Sequence, residues 1–207
     1  MGYENSKVRY LNRAIQPPPS PEILRTFAVS LSSHLTVVEQ KAIASTLSQT
    51  RLSYIDLYLI HAPYGGAEAR RGTWRALVEA QKAGTVRSVG VSNYGLHHLR
   101  ELENVMAEEG GNVDVGQWEL HPWLTRDDIV GWCRDHGTIV QAYCPLVRGK
   151  RAGEEALTKI AEKHGKTWAQ ILMRWSLQKV LYHWAISLDI IPPFFFQLVF
   201  YFSVGPY

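Results

Sequence analysis

The chain reads as an α/β protein of the (β/α) barrel type, and three observations carry that reading. Apolar strand-like runs begin at residues 54, 86, 113 and 138, so successive starts lie 32, 27 and 25 residues apart. Each interval holds one amphipathic helical stretch, the size of a right-handed strand–helix–parallel-strand unit. Neither a G-x-G-x-x-G fingerprint nor a P-loop lysine motif occurs in the sequence, which favours a barrel over an open dinucleotide-binding sheet.

In chain order, residues 1–26 form a poorly defined N-terminal segment: a short helical stretch over 3–15, then an extended, rigid Pro17-Pro18-Pro19-Ser20-Pro21. Residues 27–31 read as a short strand. Thr36 opens a helix to about residue 51, with Val38, Ala42, Ile43 and Leu47 on one face. The run 54–60 is the most apolar strand, and Pro63 with Gly65-Gly66 stops it just beyond His61. Thr73 is the expected N-cap of a helix that aligns Trp74, Leu77, Val78 and Gln81 and closes at Gly84.

The alternation then repeats. Residues 86–91 form a strand ending at Ser92-Asn93, and residues 95–107 form a helix with Leu96, Leu99, Leu102 and Met106 inward. Residues 113–119 form a strand stopped by Pro122. Thr125 with Asp128 predicts a capping box for a helix that faces Ile129, Trp132 and Cys133 inward. Residues 138–143 form a strand stopped by Pro145, and helices follow over 154–164 and, after the Thr167 cap, 168–178.

Composition narrows the class. The 207 residues suffice for one domain with a large core, and a net charge of +3 with scattered Lys and Arg leaves no nucleic-acid footprint. The two cysteines, Cys133 and Cys144, form no CxxC pair and imply neither a disulfide nor a zinc framework. With no signal-peptide pattern at the N-terminus, the expected compartment is the cytoplasm. Residues 180–207 stand apart. Their only Asp, Glu, Lys or Arg is Asp189, and they hold five of the six phenylalanines. They read as an apolar tail foreign to the fold before it; Pro192-Pro193 and the missing basic flank count against a membrane span.

Chemistry concentrates where the strands end, the side on which parallel α/β folds bind ligands. His61, Ser92 with Asn93, Gln117 with Glu119 and His121, and Tyr143 all stand there. They bring imidazole, hydroxyl and amide groups and one aromatic face, with no third ligand for a metal and no nucleophile elbow. Each has a structural alternative: a hydrogen-bonded imidazole, a Ser-Asn helix cap, a backbone-tied amide, a core tyrosine, a rim Glu–His pair.

Four motifs carry a family resemblance. Tyr54-Ile-Asp-Leu-Tyr-Leu-Ile-His61-Ala-Pro, Val86-Arg-Ser-Val-Gly-Val-Ser-Asn93, Gln117-Trp-Glu-Leu-His-Pro122 and Gln141-Ala-Tyr-Cys-Pro-Leu146 resemble the aldo-keto reductase family in order and spacing. The resemblance implies a (β/α)8 TIM barrel, here incomplete, with about strands 3 to 7 over 27–179 and a chain truncated at both ends. It implies an oxidoreductase that moves a hydride from NADPH to the carbonyl of a small aldehyde or ketone. His61 then orients the carbonyl oxygen, Ser92, Asn93 and Gln117 bind the nicotinamide carboxamide, Tyr143 stacks on the ring, and Leu146 lies near the pyrophosphate.

The departures from the family pattern are specific. The family's proton donor is a tyrosine activated by a lysine that is itself paired with an aspartate; a phenol of pKa about 10 needs such a cation to work near neutrality. Tyr3-Glu-Asn-Ser resembles the motif that holds the tyrosine, making Tyr3 the candidate. Ser30 stands where the lysine belongs, and the aspartate has no counterpart. Residues 180–207 lack the Lys and Arg that would read the adenosine 2′-phosphate. The alternative function is therefore a catalytically impaired cofactor-binding or regulatory barrel fragment. An open barrel also predicts unpaired edge strands and self-association through them.

Overall fold

The computed structural model describes the backbone of residues 26–29, 36–179, 182–183 and 201–202, with side chains over 41–179. Strands β1 (Thr26–Val29), β2 (Ile55–Ile60), β3 (Val86–Ser92), β4 (Val115–Glu119), β5 (Ile139–Tyr143), β6 (Tyr182–His183) and β7 (Tyr201–Phe202) form one sheet in the order β6-β5-β4-β3-β2-β1-β7. Every pairing is parallel. Helices α1 (Thr36–Thr50), α2 (Gly66–Lys82), α3 (Leu96–Glu109) and α4 (Asp127–Asp135) connect successive strands, and α5 (Glu155–His164) and α6 (Trp168–Gln178) lie between β5 and β6. The β2–β5 order is sequential, as right-handed βα units laid side by side require. β6 and β7 stand at the two ends of this order, β7 paired with β1 and β6 with β5 over two residues each.

Strand alternation sorts side chains onto two faces. The outer face presents Tyr58 and Ile60, Val89 and Val91, Trp118, and Val140 and Ala142. They pack against Trp74, Leu77 and Val78 of α2, Leu99, Leu102 and Val105 of α3, and Ile129, Trp132 and Cys133 of α4. Trp118 shows why a glycine stands beside it: a Cβ on Gly116 would run into the Trp118 ring. Burial pushes the Cys133 thiol up to about 12, so it is an inert part of this layer.

The inner face is smaller. Its buried apolar residues are Leu57, Leu59 and Val115, with Ile139 packed against them. Register sets Leu59, Gly90, Val115 and Ile139 in one row across the sheet. A Cβ on Gly90 would stand 2.8 Å from Leu59 Cδ2 and collide with the Val115 carbonyl, so the row alternates large and small. The next row toward the carboxyl ends is polar: Ser92, Gln117 and Gln141 are register partners.

Four expected boundaries need correction. Helix α2 begins at Gly66, not Thr73, and Thr73 Oγ1 donates to the Ala69 carbonyl from inside it. The missed turns carry no apolar stripe. Arg70 and Arg71 instead pair with Glu101 and Glu108 across α3, a partnership visible only once the helices are side by side. Strand β4 begins at Val115 rather than 113; Asp114 just before it keeps backbone bonds to Val89 and Ile139 while its carboxylate accepts the Val89 N–H and Gln81 Nε2. Thr125 does not form a capping box. Its hydroxyl donates to Asp127, and Arg126 occupies the N-cap in the left-handed region at φ 46. The first strand runs over Thr26–Val29; Ser30 and Leu31 lie outside the described residues, as does Tyr3. By contrast, the Thr167 cap forms as expected, reciprocated by Gln170.

Candidate functional site

At the carboxyl end of the sheet, Asn93 is the hub. It sits in the left-handed region at φ 60, where asparagine is better tolerated than most residues. Its Nδ2 donates to the His61 carbonyl at 2.9 Å and to Ser92 Oγ at 3.2 Å, and its Oδ1 accepts from the Tyr143 hydroxyl at 2.8 Å. One side chain therefore ties the ends of β2, β3 and β5.

The fourth strand end joins through Ser92 and Gln117. Ser92, buried at 1% exposure, donates from Oγ to the Gln117 carbonyl at 2.9 Å, and the Asn93 N–H donates to the same oxygen at 3.1 Å. Gln117 Nε2 donates to Gln141 Oε1 at 3.0 Å. Among the described residues the second Gln117 N–H and its Oε1 meet no other partner, and His61, Asn93, Gln117 and Tyr143 are all half-buried. The rim thus combines a rigid polar base with accessible donors and acceptors. Burial lowers the His61 imidazole below its ordinary titration range, so near neutrality it is uncharged.

Supports sit one layer out. Trp118 Nε1 donates to the Tyr94 carbonyl at 2.8 Å, fixing the residue after Asn93. Arg70 Nη1 donates to the Pro63 carbonyl at 3.2 Å while its Nε and Nη2 form a bidentate pair with Glu101 at 2.8 and 2.6 Å. That pair lowers the Glu101 carboxyl below the usual carboxylate range and, with the Pro63 bond, ties the loop after β2 to α3 through Arg70.

The structure brings His61, Ser92, Asn93, Gln117 and Tyr143 together. Leu146 lies beyond them, where its carbonyl accepts the Gly149 N–H in the 3-10 turn Val147–Gly149; no hydrogen bond joins it to the Asn93 network. Glu119 and His121 form a separate rim pair, Oε1 to Nε2 at 3.5 Å, with the His121 ring 6.1 Å from that of Trp123. Sequence reasoning missed Gln141, Arg70 and Trp118. Gln141 carried a usable signal, a buried amide two residues before Tyr143 and on the same strand face. The other two are legible only from the packed helices. Among the described residues no cluster of three or more His, Cys, Asp or Glu could hold a metal ion, and no helix is long and apolar enough to cross a membrane.

Comparison with known proteins defines the class. The aldo/keto reductase family model matches residues 38–188, and the chain belongs to that family. It is 47% identical over 127 residues to an uncharacterized oxidoreductase of Schizosaccharomyces pombe, covering 61% of this chain and 44% of that protein. To the glyoxal reductase of Bacillus subtilis it is 42% identical over 137 residues, covering 66% and 48%. Among solved structures, a Gox0644 variant in complex with NADPH superposes with a TM-score of 0.69 at 35% identity, covering 80% of this chain and 60% of that one. The chain spans less than half the length of either relative.

Proposed function

We propose that the rim at the carboxyl ends of β2–β5 is the nicotinamide end of an NADPH site, and that the chain serves reduction of a small aldehyde or ketone to an alcohol. The observation that carries this reading is the Asn93 hub, which locks four strand ends into one polar surface with the Gln117 amide still able to bind. That donor set fits a primary carboxamide, which offers one acceptor and two donors to the accessible N–H and Oε1 of Gln117. The NADPH-bound neighbour and the glyoxal reductase of B. subtilis support cofactor and substrate class.

NADPH, when bound, supplies the hydride; the chain supplies position and a hydrogen-bond donor. Ser92 and Asn93 hold the Gln117 end of the rim still, Tyr143 offers its ring face to the nicotinamide, and Leu146 approaches the pyrophosphate. His61, kept neutral by burial, donates an N–H toward the carbonyl oxygen and orients it, without serving as the acid. Tyr3 is the candidate proton donor. Ser30 in the position where the family resemblance expects lysine leaves a phenol there without its activating cation, which favours a second reading: cofactor binding with little turnover.

Nucleotide fluorescence and aldehyde-dependent NADPH oxidation, with methylglyoxal as probe, separate the two. NADPH binding that Gln117→Ala weakens about tenfold is the expected result. Turnover at the rate of a full-length reductase contradicts the role given to Ser30, and an undiminished Gln117→Ala affinity contradicts the site.

A further inference from the structure

The first turn of α3 begins three residues after Asn93 and contains two adjacent histidines. Gly95 is the N-cap and His98 the third helical residue. The Gly95 N–H donates to His98 Nδ1 at 3.2 Å, the reach-back that a Glu or Gln makes from that position in a capping box. Glycine has no side chain to return the favour, so the side-chain part of the cap is the imidazole, while the Gly95 carbonyl accepts the His98 and Leu99 N–H groups. An Nδ1 that accepts a backbone N–H carries no proton. The neutral ring must then be protonated at Nε2, and that atom lies 3.0 Å from His97 Nε2. His98 therefore donates and His97 accepts, and the two rings lie tilted by 42° with centroids 3.7 Å apart. This tautomer also argues against a metal at the pair: a neutral imidazole binding through Nε2 needs its proton on Nδ1, where the Gly95 N–H already points.

We propose that His98 is a positioning residue: as the neutral Nε2–H tautomer it caps α3 through the Gly95 amide and makes the loop that carries Asn93 sensitive to acid. Protonating His98 puts a hydrogen on Nδ1 facing the Gly95 N–H, and protonating His97 on Nε2 sets two donors against each other. The first event removes the Gly95 contact from the segment 93–95, and the second removes the bond that orients the His98 ring. That segment is otherwise held by the Gly95 carbonyl, which accepts the His98 and Leu99 N–H groups, by the buried Tyr94 with its carbonyl on Trp118 Nε1, and by the Asn93 bonds.

The groups around His98 set the direction. His97 stands beside it on α3, Glu101 lies one turn on, Arg70 reaches across from α2, and the Tyr94 ring meets it edge-on with centroids 5.7 Å apart. Burial, His97 and Arg70 all disfavour the imidazolium, and Glu101, already paired with Arg70, opposes them only partly; His98 titrates below the ordinary histidine value of 6.5. A histidine lowered in the folded state contributes its full stability above 6.5 and loses it as pH falls through the folded value. The cap is thus closed at neutral pH and opens on acidification.

That Asn93 serves the cofactor rests on the function proposed above; the cap itself does not. In the full chain, 15N NMR of the imidazoles at pH 8 should show His98 protonated at Nε2 and bare at Nδ1. Replacing His98→Leu should raise the opening-limited exchange of the Gly95 amide about tenfold, leaving amides in the middle of α3 unchanged. His98→Gln can make the same reach-back without titrating, so it should keep the protection and abolish its decline between pH 8 and pH 5. An Nδ1–H tautomer at pH 8, unchanged Gly95 exchange in the leucine variant, or a decline that persists in the glutamine variant overturns the cap. NADP+ titrations at pH 8 and 5.5 read the link to Asn93. Wild type should weaken several-fold at the lower pH and His98→Gln should not; equal weakening in both overturns the link. An intact cap signature with no NADP+ binding in either chain would count against the cofactor reading alone.

Discussion

The two faces of the sheet follow different rules. The outer face is apolar across β2–β5 and covered by helices; Trp118 from the sheet and Trp74 and Trp132 from the helices meet there, each with its indole N–H hydrogen-bonded. The inner face has a short apolar row of Leu59, Val115 and Ile139, followed by a polar row of Ser92, Gln117 and Gln141 leading to the rim. Outer positions hold the chain together through packing. Inner positions past the first row hold hydrogen-bonding groups in place, and their conformational cost, such as the left-handed Asn93, is carried by the outer layer.

That contrast can be broken or sharpened by substitution. Trp74→Ala, at 0% exposure, should lose about 3–5 kcal/mol in denaturant unfolding, the largest effect expected of a single change; a loss under about 1 kcal/mol would mean that the helix layer is not the main core. Leu59→Ala on the inner face should lose about 2–3 kcal/mol, at the low end for a buried leucine because its apolar cluster is small and Gly90 offers it no side chain. Equal losses at the two positions would erase the distinction between the faces.

At the rim, Asn93→Gly and Asn93→Ala both remove the hub bonds, but only alanine also strains at φ 60. The alanine protein should be about 1 kcal/mol less stable than the glycine one, while both lose nicotinamide affinity alike. The smallest effect belongs to Glu101→Gln. Its pair with Arg70 leaves the two side chains 32% and 14% exposed, so screening holds the loss to about 0.5–1 kcal/mol. Because Arg70 depresses the Glu101 carboxyl in the folded chain, that contribution is present above the ordinary value of 4.5 and disappears as pH falls through the folded value; wild type and variant should converge in acid unfolding curves.

The sequence was most legible where one residue pattern had a single structural solution. Runs such as 86–92 and 139–143 are too short and too β-branched for helices, and their ends bring His61, Asn93, Gln117 and Tyr143 to one rim without further information. The start of α2 was illegible because its first turns are held by arginines whose acidic partners lie some 30 residues further along the chain, in α3. The Thr125 capping box failed for a related reason: the hydroxyl found a nearer carboxylate in Asp127. Asn93 as hub, rather than as one ligand among several, could not be read at all. It depends on a left-handed backbone and on the Tyr143 hydroxyl arriving from 50 residues away.

Nuclear Overhauser contacts between bound NADP+ and the labelled chain test the central claim most directly. Contacts from the nicotinamide ring protons to the Tyr143 ring and the Gln117 side-chain amide are predicted, both lost in Asn93→Ala. Bound cofactor whose nicotinamide touches neither residue would contradict a nicotinamide site at the ends of β2–β5.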